Sequence, residues 1–341
     1  MNLFYKKISA LILISFIPLV LIFCMYLYTD PYNDLPINYN RNIKYIFHSL
    51  SDFTTKKLIS NSSKKNSFIL GSSKSLTFTA KRCHKVIFKK NKNVKPFHYA
   101  QWGESIGGVY KKLIFLSHQK HKLEYIFIFI DPNLTFRKNG TVHDFDHYLI
   151  SGISQPVYYL NHVKEFFNPK NIYFRENMKI LFHKKVKLEY QFNCYTDKNY
   201  NDLHYFKNRK KSIIQKKYID SIKRYSQVYL FKSVGKQMYF TKQISKIEKS
   251  ILLKIKNILV KNESKYTLVI TPTLNGGQLH KADFQILTKV FGKSTILNAS
   301  GNNLFTYKNI LFNDSIHYNG FINEVIMDSI SKKIYNEGFL Q

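Results

Sequence analysis

The chain has 341 residues and is 44% hydrophobic, enough for one large or two modest cores, which excludes global disorder. Its formal charge of +32 invites a nucleic-acid reading, but the basic residues are mostly Lys, spread along the whole chain among Asn, Ile, Phe and Tyr rather than gathered into one footprint. We therefore expect no nucleic acid as partner; a surface this basic instead concentrates anionic polymers.

Residues 8–28 (ISALILISFIPLVLIFCMYLY) carry no charge and, as a helix, would cover the ~30 Å of a bilayer core. Lys6 and Lys7 precede the span, with no acid among the first seven residues, so the positive-inside rule leaves 1–7 as a cytoplasmic tail. The exit FCMYLYTDP has no A-x-A pattern, and bulky Phe23 before Cys24 argues against a lipoprotein, so an uncleaved single-pass anchor is expected, with the remainder outside the cytoplasm. None of the three cysteines forms a C-x-x-C pair. Cys83 and Cys194 would share an oxidising compartment, and the sequence does not decide whether they lie close enough to pair.

Residues 29–66, with Pro31, Pro36 and the SNSSKKN cluster, read as a stalk carrying at most one helix. The domain proper is expected over 67–341. SFILGSSKS (67–75) has the form of a buried strand entering a tight turn, VKPFHY (94–99) is a second strand, and a helix follows QWGESIGG. YIFIFIDPN (125–133) is an unbroken apolar run of the kind found in parallel sheets covered on both faces. The alternation resumes at YTLVITPT (266–273), a helix near 280–291, STILNA (294–299) and a closing helix at 319–336. This predicts an α/β fold, a three-layer sandwich around a central parallel sheet. Between 137 and 262 it is interrupted by a basic, aromatic-rich and mostly helical insertion, with helices expected near 157–167, 208–224 and 240–260.

Ligands of such sheets bind beyond the carboxyl ends of the strands. Gly71-Ser72-Ser73 sits at one such end, where glycine permits a sharp turn and Ser73 would be exposed beside backbone N–H groups; a plain N-cap reads the same way. Near the other terminus Asp314-Ser-Ile-His317 precedes the last helix, a spacing at which the Asp can orient the imidazole as a general base. The same spacing recurs at Asp144 and His147, so neither motif is specific alone.

Their order along the chain, a Gly-x-Ser turn after the first strand and a D-x-x-H before the terminal helix, resembles the SGNH (GDSL-like) hydrolase superfamily, whose sheet is flavodoxin-like. The likeness covers roughly 67–136 and 266–336, and with the membrane anchor is closest to envelope families such as the D-alanyl transfer and alginate-acetylation proteins. The resemblance implies a Ser73–His317–Asp314 triad and ester chemistry, by esterase or O-acyltransferase, on a cell-surface polymer or glycan, with an acyl-donor membrane protein as partner in the transfer case; the basic charge and insertion point to an anionic one. It assigns oxyanion donors to Gly103 and Asn133, and no cofactor or metal. Ser72 stands where the family carries an acid, and Asp131-Pro132-Asn133 departs from its G-x-N-D block, which leaves a catalytically degenerate binding or assembly protein as the alternative.

Three other groups read more simply. His143-Asp144-Phe145-Asp146-His147 has metal-ligand residue types in a predicted loop, where solvated polar residues are the plainer expectation. Trp102 and the 25 tyrosines have the chemistry to stack sugars but are more often core. Ser62-x-x-Lys65 has Ser/Lys dyad spacing, but in the linker cluster.

Overall fold

The computed structural model describes residues 2–30, 32, 34–39, 49–60, 65–137, 146–168, 219, 235–304, 306, 311–312, 317–318 and 320–336. Asp314, Cys194, His143, Asp144, Ser62 and the expected helix at 208–224, apart from Ile219, lie outside these residues.

Five strands form one parallel sheet: β1 (Ser67–Gly71), β2 (Pro96–Ala100), β3 (Tyr125–Ile130), β5 (Lys265–Ile270) and β7 (Ile296–Asn298), in the spatial order β2-β1-β3-β5-β7. A two-residue ribbon, β4 (Met238–Tyr239) with β6 (Gly277–Gln278), stands apart. Strand periodicity divides the core. Ile69, Phe127, Phe129 and Val269 face α3 (Ala80–Val86) and α9 (Gly320–Asn336), meeting Cys83, Ile322 and Ile326. Phe68, Leu70, Ile126, Ile128, Leu268 and Ile270 face the other way, onto α4 (Ile106–His118), α7 (Lys246–Lys261) and α8 (Lys281–Phe291). Both faces of the sheet are therefore covered, which is why β3 tolerates six consecutive apolar residues, all buried.

Local signals start the helices. Ser105 accepts from Gly108 N–H at the head of α4, and Ser245 with Glu248 forms a capping box on α7. The chain from Tyr148 to Phe166 forms α5 (Tyr148–Ser151) and α6 (Gln155–Phe166).

Two sequence expectations about boundaries are corrected. Helix α7 was assigned to the insertion, yet Leu252, Ile255 and Leu259 are wholly buried in the core beside α4, so it is a crossover helix between β3 and β5. The segment read as a stalk contains α2 (Leu50–Ser60), where every residue from Leu50 to Leu58 is buried. Thr55 hydrogen-bonds to the Tyr99 hydroxyl of β2. Lys56, fully buried, pairs at 2.9 Å with both Asp34 and Asp52. Burial works against the ammonium, but the two carboxylates outweigh it and hold the Lys56 pKa above its usual value. Asp34 is likewise desolvated, but its hydrogen bond from His162 at 2.8 Å and the Lys56 charge keep it below the ordinary carboxylate range.

The solvated loop expected around 143–147 is also corrected where it is described. Asp146 and His147 are fully buried: Asp146 accepts from Ser49 and Gln101, and His147 Nδ1 caps α5 through Leu149 N–H. Cys83 is buried in the core.

Helix α1 (Asn2–Thr29) carries no charged residue from Ile8 onward, and large apolar side chains such as Leu11, Ile14, Phe16 and Leu21 are exposed along it. Among the described residues no helix is long and apolar enough to cross a membrane. At its end, Tyr26 donates to Asp34 and packs edge-on against Phe166 of α6, which joins α1 to the α2 ion-pair network.

Candidate active site

The chain leaves β1 in one direction to build β2 and in the other to build β3, so the crevice beyond the carboxyl ends of β1 and β3 is the place where strand order reverses. Ser73 lies at this point. Gly71 ends β1 with φ +156, and a Cβ there would fall 2.6 Å from Phe129 Cβ, so only glycine lets the turn lie this close to β3. Ser72 is extended and accepts from Lys74 N–H, starting a single 3-10 turn over Ser73–Ser75.

Two buried contacts hold this turn from opposite sides. Toward β3, the Lys74 ammonium pairs with Asp131 at 2.9 Å, the two side chains only 6% and 2% exposed. Toward β2, Ser75 Oγ lies 2.9 Å from His98 Nε2 and donates its own proton to Ser72 O at 2.8 Å. Because that hydroxyl proton is committed to a carbonyl, His98 must be the donor, which makes it the neutral Nε2–H tautomer. Burial, with the nearby Lys112 charge, lowers the His98 pKa to about 3 and keeps it neutral. Lys112 is itself buried, bonded to Glu104 and to Tyr99 O at 3.3 Å. Burial raises Glu104 to about 7 despite that partner.

His317 arrives from the far end of the chain. Helix α9 packs along α3, Asn323 donates to Thr77 just past the serine turn, and Arg82 pairs with Glu324. These contacts seat the segment before α9 over the end of β1. His317 Nε2 stands 2.9 Å from Ser73 Oγ across 244 residues of sequence. The next residue, Tyr318, is buried, and desolvation, with the charge of Asp131, raises its phenol well above the usual value. A hydroxyl at this distance from an imidazole nitrogen can pass its proton to it.

The structure thus brings together Ser73 and His317 of the residues singled out by sequence; Asp314 falls outside the described residues. Gly103 follows β2 in a turn with φ +57, and Asn133 follows β3. Asn133 accepts from Arg137 through Oδ1 and gives its backbone N–H to Asp131 at 2.9 Å, leaving its side-chain NH₂ able to donate. Both residues belong to loops on the same edge of the sheet as Ser73, and among the described residues neither hydrogen-bonds to it. Sequence reasoning missed Lys74, Ser75 and His98; the only available signal was that each polar residue adjoins or lies within a predicted strand end.

No family model matches the chain, and no curated protein matches it.

Proposed function

We propose that the protein is a serine esterase or O-acyltransferase of the SGNH type, anchored in a cell membrane by residues 8–28 and acting on an anionic envelope polysaccharide or polymer outside the cytoplasm. The observation that carries the reading is the 2.9 Å contact between Ser73 Oγ and His317 Nε2 at the switch point of a parallel sheet. Ser73 attacks the acyl carbonyl while His317 takes its proton. His317 then returns the proton to the leaving alcohol, and the acyl-enzyme is released to water or to a sugar hydroxyl. Asp314 orients His317, and Ser73 N–H with Gly103 and Asn133 receives the oxyanion. A 21-residue uncharged helix would span about 31 Å, matching a bilayer core.

A fluorophosphonate probe is expected to label the full-length protein in detergent, and Ser73→Ala to abolish labelling without lowering the melting temperature. Absence of labelling in a folded wild-type sample would favour an anchored binding protein. A phosphatase reporter fused to the C-terminus is expected to be active, since that enzyme needs an oxidising exterior; an inactive, stably expressed fusion overturns the topology.

A further inference from the structure

A cleft of about 300 Å³ lies at the β7 end of the sheet, walled by the β4–β6 ribbon and α8, with Tyr239, Gln278, Lys281, Phe284, Gln285 and Asn298 among its lining. Two of its amides are fixed in orientation by partners of known polarity. Gln237 Oε1 accepts from the backbone N–H of Asn302 at 2.8 Å, so that atom is an oxygen. Gln278 reaches the same oxygen at 3.0 Å and must present its NH₂, which leaves its carbonyl as an acceptor. Asn298 Oδ1 accepts from Ser300 N–H at 3.0 Å and from its hydroxyl at 2.6 Å, which leaves its NH₂ as a donor. Gly301, at φ +94, makes room for this arrangement: a Cβ there would fall 2.2 Å from Gln278 Nε2 and 2.8 Å from Gln237 Oε1.

The cleft therefore offers one held acceptor and one held donor beside the partly exposed Tyr239 and Phe284. Vicinal hydroxyls, which both donate and accept, match that pair, and a sugar's C–H face packs against an aromatic ring. Lys281 sets an ammonium 5.2 Å from the Tyr239 ring centroid, and among the described residues no carboxylate lines the cleft, so the charge favours an anion.

We propose that this cleft is a binding subsite for an acidic saccharide unit. Its residue Asn298 ends β7 at the same carboxyl edge of the sheet as Ser73, three strand spacings from β1, or about 14 Å. A chain held there extends along the sheet edge toward the serine; this last step rests on the function proposed above, whereas saccharide binding does not.

The test titrates full-length Ser73→Ala protein in detergent, which cannot turn over an ester, with oligogalacturonate and with a neutral galactose oligosaccharide. Saturable binding of oligogalacturonate is expected, tighter than that of the neutral sugar at low salt. Lys281→Ala should reduce that preference, and Gln278→Leu should weaken both sugars about five- to tenfold, the loss of one hydrogen bond to an uncharged group. Gly301→Ala, which displaces the Gln278 amide, should act in the same direction. Lack of saturable binding by oligogalacturonate, or affinity unchanged by Gln278→Leu in a folded protein, overturns the proposal. If the sugar binds while wild-type protein resists the fluorophosphonate, the subsite stands and the ester chemistry falls.

Discussion

Replacing Lys74 by Met keeps most of the side-chain volume but strands the Asp131 carboxylate, which is 2% exposed and, among the described residues, otherwise accepts from Asn133 N–H alone. Breaking a buried pair from one side costs about 3–5 kcal/mol, mainly because the remaining charge stays desolvated. At roughly 2–4 °C per kcal/mol for a domain of this size, the melting temperature should fall by about 6–20 °C. The double variant Lys74→Met/Asp131→Asn removes both charges and retains a carbonyl oxygen for Asn133 N–H. It should recover to within about 1 kcal/mol of wild type, because a buried ion pair adds little over a neutral packing of the same shape. Since Lys74 adjoins Ser73, the rate of fluorophosphonate labelling should fall in the single variant and return in the double. Thermal melts of the three proteins in one detergent, followed by circular dichroism, decide the matter. A single variant melting within 1 °C of wild type, or a double variant as unstable as the single, would refute the account of how the serine turn is held.

Two further outcomes follow from the same turn. Burial depresses His98 from 6.5 to about 3, so the folded protein resists a proton that the unfolded chain accepts. Its stabilising contribution is complete above pH 6.5 and drains away by about 1.4 kcal/mol per pH unit as the pH falls toward 3; His98→Gln, whose NH₂ can still donate to Ser75, should show a shallower loss of melting temperature in acid, and identical acid profiles would contradict this. Gly71→Ala forces a Cβ to 2.6 Å from Phe129 Cβ, so the turn must move; it should cost about 1–3 kcal/mol and slow labelling of Ser73, and a variant that labels at the wild-type rate would show that the close approach to β3 is unnecessary.

The parts of the fold legible from sequence were those that solvent exclusion writes locally. β3, YIFIFI, is buried on both faces and so needs no alternation, and α4 falls where a helix was expected after the second strand. Helix α3 went unread because AKRCHKV buries only Ala80 and Cys83, too little for a periodic signal. Helix α2 looked like a stalk because LSDFTTKKLIS is polar; its burial depends on Asp34 and Tyr99, partners that no window of sequence contains. In the site, Ser73 and His317 were recognisable by motif order. Lys74–Asp131 and Ser75–His98 were not, since each pairing exists only because β1 lies between β2 and β3, and strand order leaves no trace in hydrophobic periodicity.

The 244-residue separation of the hydroxyl and the imidazole has a consequence for biosynthesis. Ser73 is made before His317, and α9, which seats that partner against α3, follows later still. A nascent chain that has not reached residue 317, or a fragment cut before it, presents Ser73 without the imidazole that faces it in the folded protein. The hydroxyl–imidazole pair therefore forms only once synthesis has passed residue 317, and fragments that stop short of it lack the pair.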